Sequence, residues 1–355
     1  MELFRDSRSF LLATGLAALA TALVATWIGV RLGGGRTTLW VDDLATPLAA
    51  AIACAACLRA AARHGERMRL FWVLLSGATA CWTLAEVIWG VYALILNKEV
   101  PSPSWADVGY LAAIPLTVAA LVVHPGTRGN GARKARSVLD GMVIATALLF
   151  LSWTLVLGPL WRSANLSTGA GIVTLAYPFG DVVIVFFIVL AIRGMTGGDR
   201  LSLWCLLAGL MAMALSDSTF TYLTEIANYK SSSGNLIDAG WIAAYLGIAL
   251  AAFSSQGGGA RARSVKLSRP SLASLVSPLL PVLLALGVAA VQIKLGHHLD
   301  HAAWLMAFGL IALVLARQAL LLLELLRPGQ EGGAGLTQRL TDAALGGLAI
   351  EEEAS

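Results

Sequence analysis

Apolar runs of membrane-spanning length, broken by short segments that hold most of the charge, set the pattern of this chain. Phe10–Val30, Gly141–Trp161 and Ser271–Ile293 carry no ionisable side chain over roughly 20 residues each, enough helix to cross a bilayer core about 30 Å thick. Ten helical spans are predicted on this basis, at 10–30, 44–62, 69–95, 107–124, 138–160, 174–193, 200–227, 238–255, 271–293 and 302–325. The second is the least apolar, with fifteen uncharged residues between Asp43 and Arg59. The fold class that follows is all-α, a polytopic helical membrane bundle.

An even number of spans puts both termini on one side. With that side cytoplasmic, the inner segments carry eighteen Lys and Arg, while the outer loops carry six: Arg31, Arg36, Lys98, Arg162, Lys230 and Lys294. Arg317 stands within the last span. The positive-inside rule then orients the chain with N- and C-termini in the cytoplasm, as a multi-pass protein of the inner or plasma membrane whose first partner is the lipid bilayer. The first apolar run is too long for a cleavable signal peptide and reads as a retained span.

Composition sharpens the exclusion. Of 355 residues 57% are apolar and 13% charged, about half the charge of a soluble domain, which rules out an ordinary cytosolic enzyme. The net charge of +4 is modest. The basic stretch Arg261-x-Arg263-x-x-Lys266-x-x-Arg269 is explained by topogenic charge and anionic lipid rather than nucleic acid. Cys54, Cys57, Cys81 and Cys205 lie in apolar stretches, where a thiol behaves as a small hydrophobe; Cys54-x-x-Cys57 has redox spacing but no nearby paired ligand.

Sliding the chain against itself by 131 positions pairs Arg69-Leu70 with Arg200-Leu201, Glu86-x-x-Trp89 with Asp217-x-x-Phe220, and Asp107-x-Gly-Tyr110 with Asp238-x-Gly-Trp241, without a gap. Pro47 pairs with Pro178 as well, whereas Asp181 faces only Ala50. The chain thus divides into a first four-span repeat, 1–125, a second, 126–256, a two-span extension, 257–326, and a cytoplasmic tail, 327–355. Repeats with an even number of spans insert the same way up, giving a pseudo-twofold axis along the membrane normal.

Several acids fall at membrane depth. Counting about 1.5 Å per residue places Glu86 and Asp217 roughly 25 Å above Arg69 and Arg200, toward the outer side, and Asp181 nearer the middle. A buried carboxylate there costs a few kcal/mol unless paired, protonated or facing water, so each is a candidate ligand-binding group. Ser104-x-x-Asp107 and Asn235-x-x-Asp238 also read as capping boxes, and Asp140 as another cap near the inner start of the fifth span. Trp105, Tyr110, Tyr222 and Trp241 sit where an interfacial aromatic belt is expected. Yet Asp238, Trp241 and Tyr245 share one helix face, as do Glu86 with Trp89 and Asp217 with Phe220, and acids stacked beside aromatics suit a cationic ligand.

The segment Gly296-His297-His298-Leu299-Asp300-His301 admits two readings, since His297 and His301 at i, i+4 have metal-ligand spacing with His298 or Asp300 as a third donor, while an outer loop carries exposed His readily. No nucleotide-binding loop, nucleophile elbow or H-E-x-x-H stands in the sequence, and nothing in it names a cofactor. Gly33-Gly34-Gly35 and Gly257-Gly258-Gly259 read as linkers. Leu336, Leu340, Ala344 and Leu348 recur near helical spacing in the tail, which permits an amphipathic segment on the membrane or a partner.

The ordered string Pro103-Ser-Trp-Ala-Asp107-x-x-Tyr110-Leu-x-x-x-Pro115-Leu, Leu139-Asp140-Gly, Tyr177-Pro178-x-x-Asp181, Ser216-Asp217 and Asp238-x-Gly-Trp241 resembles the multi-span N-terminal sensor region of actinobacterial membrane signalling proteins with GGDEF and EAL domains for cyclic di-GMP turnover. It covers most of residues 70–325. The resemblance implies that Asp107, Asp181, Asp217 and Asp238 form a shared outer-facing constellation beside Tyr177 and Trp241. No GGDEF or EAL sequence follows Glu324, so nucleotide conversion would need a partner. The expectation is a sensory or scaffolding module whose outer acidic and aromatic cavity takes a small molecule or ion and relays to a cytoplasmic signalling protein, with room for a homodimer. A secondary transporter using the same acids is the alternative. An enzyme is the least supported, for want of a recognisable nucleophile.

Overall fold

The structure, a computed structural model, describes residues 2–101, 103–127, 132–159, 168–194, 200–225, 234–255, 278–296 and 298–326. All regular structure among them is helical: α1 Glu2–Val30, α2 Gly35–Arg63, α3 Glu66–Gly90, α4 Trp105–Val123, α5 Ala132–Ser152, α6 Thr168–Gly194, α7 Arg200–Glu225, α8 Asp238–Ser254, α9 Leu279–Lys294 and α10 His301–Leu326. Single π-helical turns extend α3 (Val91–Ile95) and α5 (Trp153–Leu157). Eight helices, α1 to α7 and α10, are long and apolar enough to cross a membrane; α8 and α9 are apolar but shorter, at 17 and 16 residues. This is a helical membrane protein. His297, the basic stretch 261–269, the start of the ninth expected span and the tail at 336–348 lie outside the described residues.

One boundary differs in a way that matters. Helix α2 starts at Gly35, not at residue 44, because the chain reverses tightly just before it: Arg31, Gly33 and Gly34 all take positive φ, at 49°, 79° and 87°. Such angles suit glycine, so the triplet is a turn that launches a helix rather than a loose linker. Asp42 and Asp43, expected at a loop boundary, therefore stand inside α2.

The chain divides into two compact units, Met1–Leu313 and Val314–Ser355; the described part of the second is the end of α10. Within the first unit six helices close a ring. Helix α2 packs on α3, α3 on α4, α4 on α6, α6 on α7, α7 on α8, and α8 back on α2. Helix α1 lies against α8 and α2, α5 against α6, and α9 against α5. Small residues let these helices approach closely. Along α2 the buried stripe is Thr38, Asp42, Thr46, Ala49, Ala53, Cys57 and Ala60, at helical spacing. Between α7 and α8, a Cβ on Gly209 would come within 2.7 Å of the Ala244 carbonyl oxygen. On α1 the side chains of Leu11, Leu12, Leu16 and Leu23 stay more than half exposed, as lipid-facing residues do.

One end of the ring is filled by an apolar core in which Phe71, Trp72, Leu75, Leu206 and Ile248 are almost fully buried. His124, just past α4, is buried against the Phe71 ring (centroids 4.9 Å apart), and its Nδ1 accepts the Gly126 N–H at 3.0 Å. Burial pushes this imidazole down to about 4. Asp140 is not a cap: it sits in the third turn of α5, buried, and its Oδ2 accepts a 2.8 Å ion-paired hydrogen bond from Arg193 Nη1 in the last turn of α6.

Candidate functional site

Opposite the apolar core, the ring opens into a cavity of about 530 Å³. It lies among the first turns of α2, α4 and α8, the late turns of α3 and α7, and the middle of α6. Its lining holds eight carboxylates, Asp42, Asp43, Glu86, Glu99, Asp107, Asp181, Asp217 and Asp238, and among the described residues no Lys, Arg or His lines it.

Four of the acids are oriented by neutral donors. Tyr245 on α8 donates its hydroxyl to Glu86 Oε1 on α3 at 2.8 Å, and Tyr110 on α4 approaches the same carboxyl. Trp241 Nε1 donates to Asp217 Oδ1 at 2.6 Å. Tyr177 on α6 donates to Asp107 Oδ1 at 2.5 Å, while Asp107 Oδ2 accepts the Ser104 backbone N–H at 2.6 Å and completes a capping box for α4. Asp238 Oδ2 accepts the Asn235 backbone N–H at 2.6 Å. None of these donors brings positive charge. Asp42, Asp43 and Asp181 each keep one buried oxygen without a hydrogen-bond partner. Asp42 is only 6% exposed; its carboxyl shares a hydrogen bond with that of Asp238 and feels the like charges of Asp43 and Glu86, as Asp181 feels that of Asp217.

Aromatic rings form part of the remaining wall, among aliphatic and threonine side chains such as Ile114, Ile184, Leu210 and Thr46. Trp89, Phe220 and Trp241 make an edge-to-face series with centroids 5.8 and 5.5 Å apart, and Trp82 lies 6.0 Å from Tyr245. Indole and phenol faces of this kind attract cations electrostatically. Acids can orient a positive group, and rings can cover an apolar part of the same molecule.

Of the candidate positions read from sequence, Glu86, Trp89, Asp107, Tyr110, Tyr177, Asp181, Asp217, Asp238, Trp241 and Tyr245 all line this one cavity. Tyr222 does not. Residues 217, 220, 221 and 224 of α7 face the cavity, and position 222 points off that face, leaving the ring 42% exposed beside Trp153 and His298. Asp42, Asp43, Glu99 and Trp82 are lining residues that the sequence reading passed over. The signal for Asp42 was the stripe on α2: Thr38, Asp42 and Thr46 continue the alanine face at i, i+4, i+8.

Part of the histidine-rich segment is described, without His297. Asp300 caps α10 through the Ala303 N–H at 2.9 Å and accepts Trp153 Nε1 with both oxygens, at 3.0 and 3.1 Å. Among the described residues, which include His298 and His301 but not His297, no three His, Cys, Asp or Glu side chains are grouped to hold a metal ion.

Several contacts recur at a separation of 131 positions. Asp107 reaches back to Ser104 as Asp238 does to Asn235, and Tyr110 approaches Glu86 as Trp241 meets Asp217. Gly109 abuts Cys81 and Ala85, and Gly240 abuts Ala212 and Ser216. Compared with known proteins, the chain matches no family model, no curated protein and no solved structure.

Proposed function

We propose that this protein is a membrane-embedded receptor module that binds a small cation in the acidic and aromatic chamber and relays its occupancy through the helix ring to the cytoplasmic side. The observation that carries the reading is the chamber's composition: eight carboxylates and an aromatic wall with no basic side chain in the lining. Uncompensated, so many carboxylates would cost several kcal/mol each to hold charged away from water. A bound cation offsets that cost, and the difference in affinity between two packings of the ring is what a relay requires.

The same reading takes the ring as two repeats of like orientation, each giving three helices to the ring and one to its flank. The contacts that recur at 131 positions support it, as does the meeting of the two offset-related rings Trp89 and Phe220. The excess of Lys and Arg on the opposite side orients the chamber outward. The resemblance to sensor regions of cyclic di-GMP proteins extends the proposal to a cytoplasmic signalling partner. A transporter would use the same acids, but the packed apolar core of Phe71, Trp72, Leu75, Leu206 and Ile248 fills the other end of the ring and favours the receptor.

Thermal denaturation of the purified chain against a panel of organic and inorganic cations tests this. At least one organic cation should raise the melting temperature, with Glu86→Gln or Asp217→Asn removing the rise. A panel without effect, or an effect untouched by either variant, would refute it. Uptake of the same cation into sealed proteoliposomes would favour transport instead.

A further inference from the structure

The chamber's unpartnered oxygens are not clustered in one place. Asp42 and Asp43 belong to α2 and Asp181 to α6, and around the ring α2–α3–α4–α6–α7–α8 these two helices stand opposite each other. Axes of neighbouring packed helices lie about 8–10 Å apart, so opposed axes in a ring of six stand roughly twice as far. On the repeat reading, depth separates them too. Under the repeat, Asp181 corresponds to Ala50, eight positions beyond Asp42, or about 12 Å along the axis. Charge-assisted hydrogen bonds reach about 3 Å, so no single ammonium group can serve both ends.

Between the ends the acids continue. Glu86, Asp217 and Asp238 line the same chamber, so carboxylates also stand on the helices between the two ends. Trp82, Tyr245, Trp241 and Phe220 line it too, and aromatic rings there would cover methylene segments rather than charge. A bare metal ion fits poorly, since about 530 Å³ is the volume of an organic ligand and the described acids form no group arranged around one point.

We propose that the ligand is an extended organic polycation of the linear polyamine class, with one terminal ammonium at Asp42 and Asp43, the other at Asp181, and its methylene chain along the aromatic wall. The inference rests on reading the chamber as a cation site and adds to it the number and spacing of the charges.

Calorimetric titration of the full chain in nanodiscs separates the two. The probes are spermidine, 1,2-diaminoethane, a primary monoamine of spermidine's length, tetramethylammonium, sodium and magnesium. Spermidine should bind at least tenfold more tightly than the monoamine and the short diamine. Asp42→Asn and Asp181→Asn, close in shape to the native residues, should each weaken spermidine about tenfold and bring it toward the monoamine. Equal affinity for spermidine, the monoamine and tetramethylammonium, abolished by Glu86→Gln, would overturn the polycation and leave the cation chamber standing. Binding of sodium or magnesium alone would also overturn it. Absence of binding by every probe would remove the chamber reading itself. The comparison among probes on the unaltered chain decides the matter even if a variant fails to fold.

Discussion

Glu86 and Asp107 illustrate two uses of a carboxylate within one chamber. Asp107 is tied to Ser104 and Tyr177 and closes the first turn of α4, whereas Glu86 lies near the end of a helix that needs no side-chain cap there. Asp107→Asn should lower the melting temperature, since a lost cap costs about 1 kcal/mol, while keeping much of the response to cations. Glu86→Gln should do the reverse, leaving the unliganded chain at least as stable and abolishing the response. Thermal melts with and without cation read both, and equal, negligible changes would return the two acids to a shared structural role. His124 gives a pH dependence of clear sign. Burial holds it at about 4 against an ordinary value of 6.5, so the unfolded chain binds the proton more readily. Stability is then full above pH 6.5 and falls as the pH drops toward 4, by about 3 kcal/mol in all. His124→Asn, which can keep an acceptor for the Gly126 N–H, should flatten that part of the profile; an unchanged acid limb would assign it to other groups.

Helix α2 shows what the alternation of apolar and charged residues can hide. Charge at Asp42 and Asp43 was read as the end of a span, but the three glycines before it make a turn and the helix starts earlier, carrying both acids into the ring. Hydropathy alone misplaces such a boundary because it weighs a charge without regard to the face it occupies. The stripe from Thr38 to Ala60 runs at helical spacing, but with the span begun at residue 44 it was not followed back to Asp42. The crossing of α7 and α8 was not legible, because nothing in the letters distinguishes a glycine against backbone from one against space. Gly209→Ala forces a Cβ to 2.7 Å from the Ala244 carbonyl oxygen and should destabilise by about 1–3 kcal/mol. Gly77→Ala meets only Leu116 Cδ1 at 3.7 Å and should be neutral or slightly stabilising, because alanine favours helix. Denaturation of the two variants side by side checks the contrast, and equal effects would deny that α7 and α8 pack so closely.

Across the molecule, the gathering of acids and aromatics at one end of the bundle was readable from their heights above Arg69 and Arg200. The closing of six helices into a ring was not, because which spans are neighbours depends on side-chain fit and not on order along the chain. Orientation has its own test. Glu99, exposed at the rim of the chamber, should as Glu99→Cys react with a membrane-impermeant maleimide on intact cells above the background of the native thiols. Labelling only in inverted vesicles would turn the molecule over. What matters most is whether the chamber holds an extended polycation. An experimental structure in nanodiscs with saturating spermidine answers this directly. Elongated density running from Asp42 past Glu86 and Asp217 to Asp181 is the expected result. An empty chamber, or one filled by a lipid acyl chain, would contradict it.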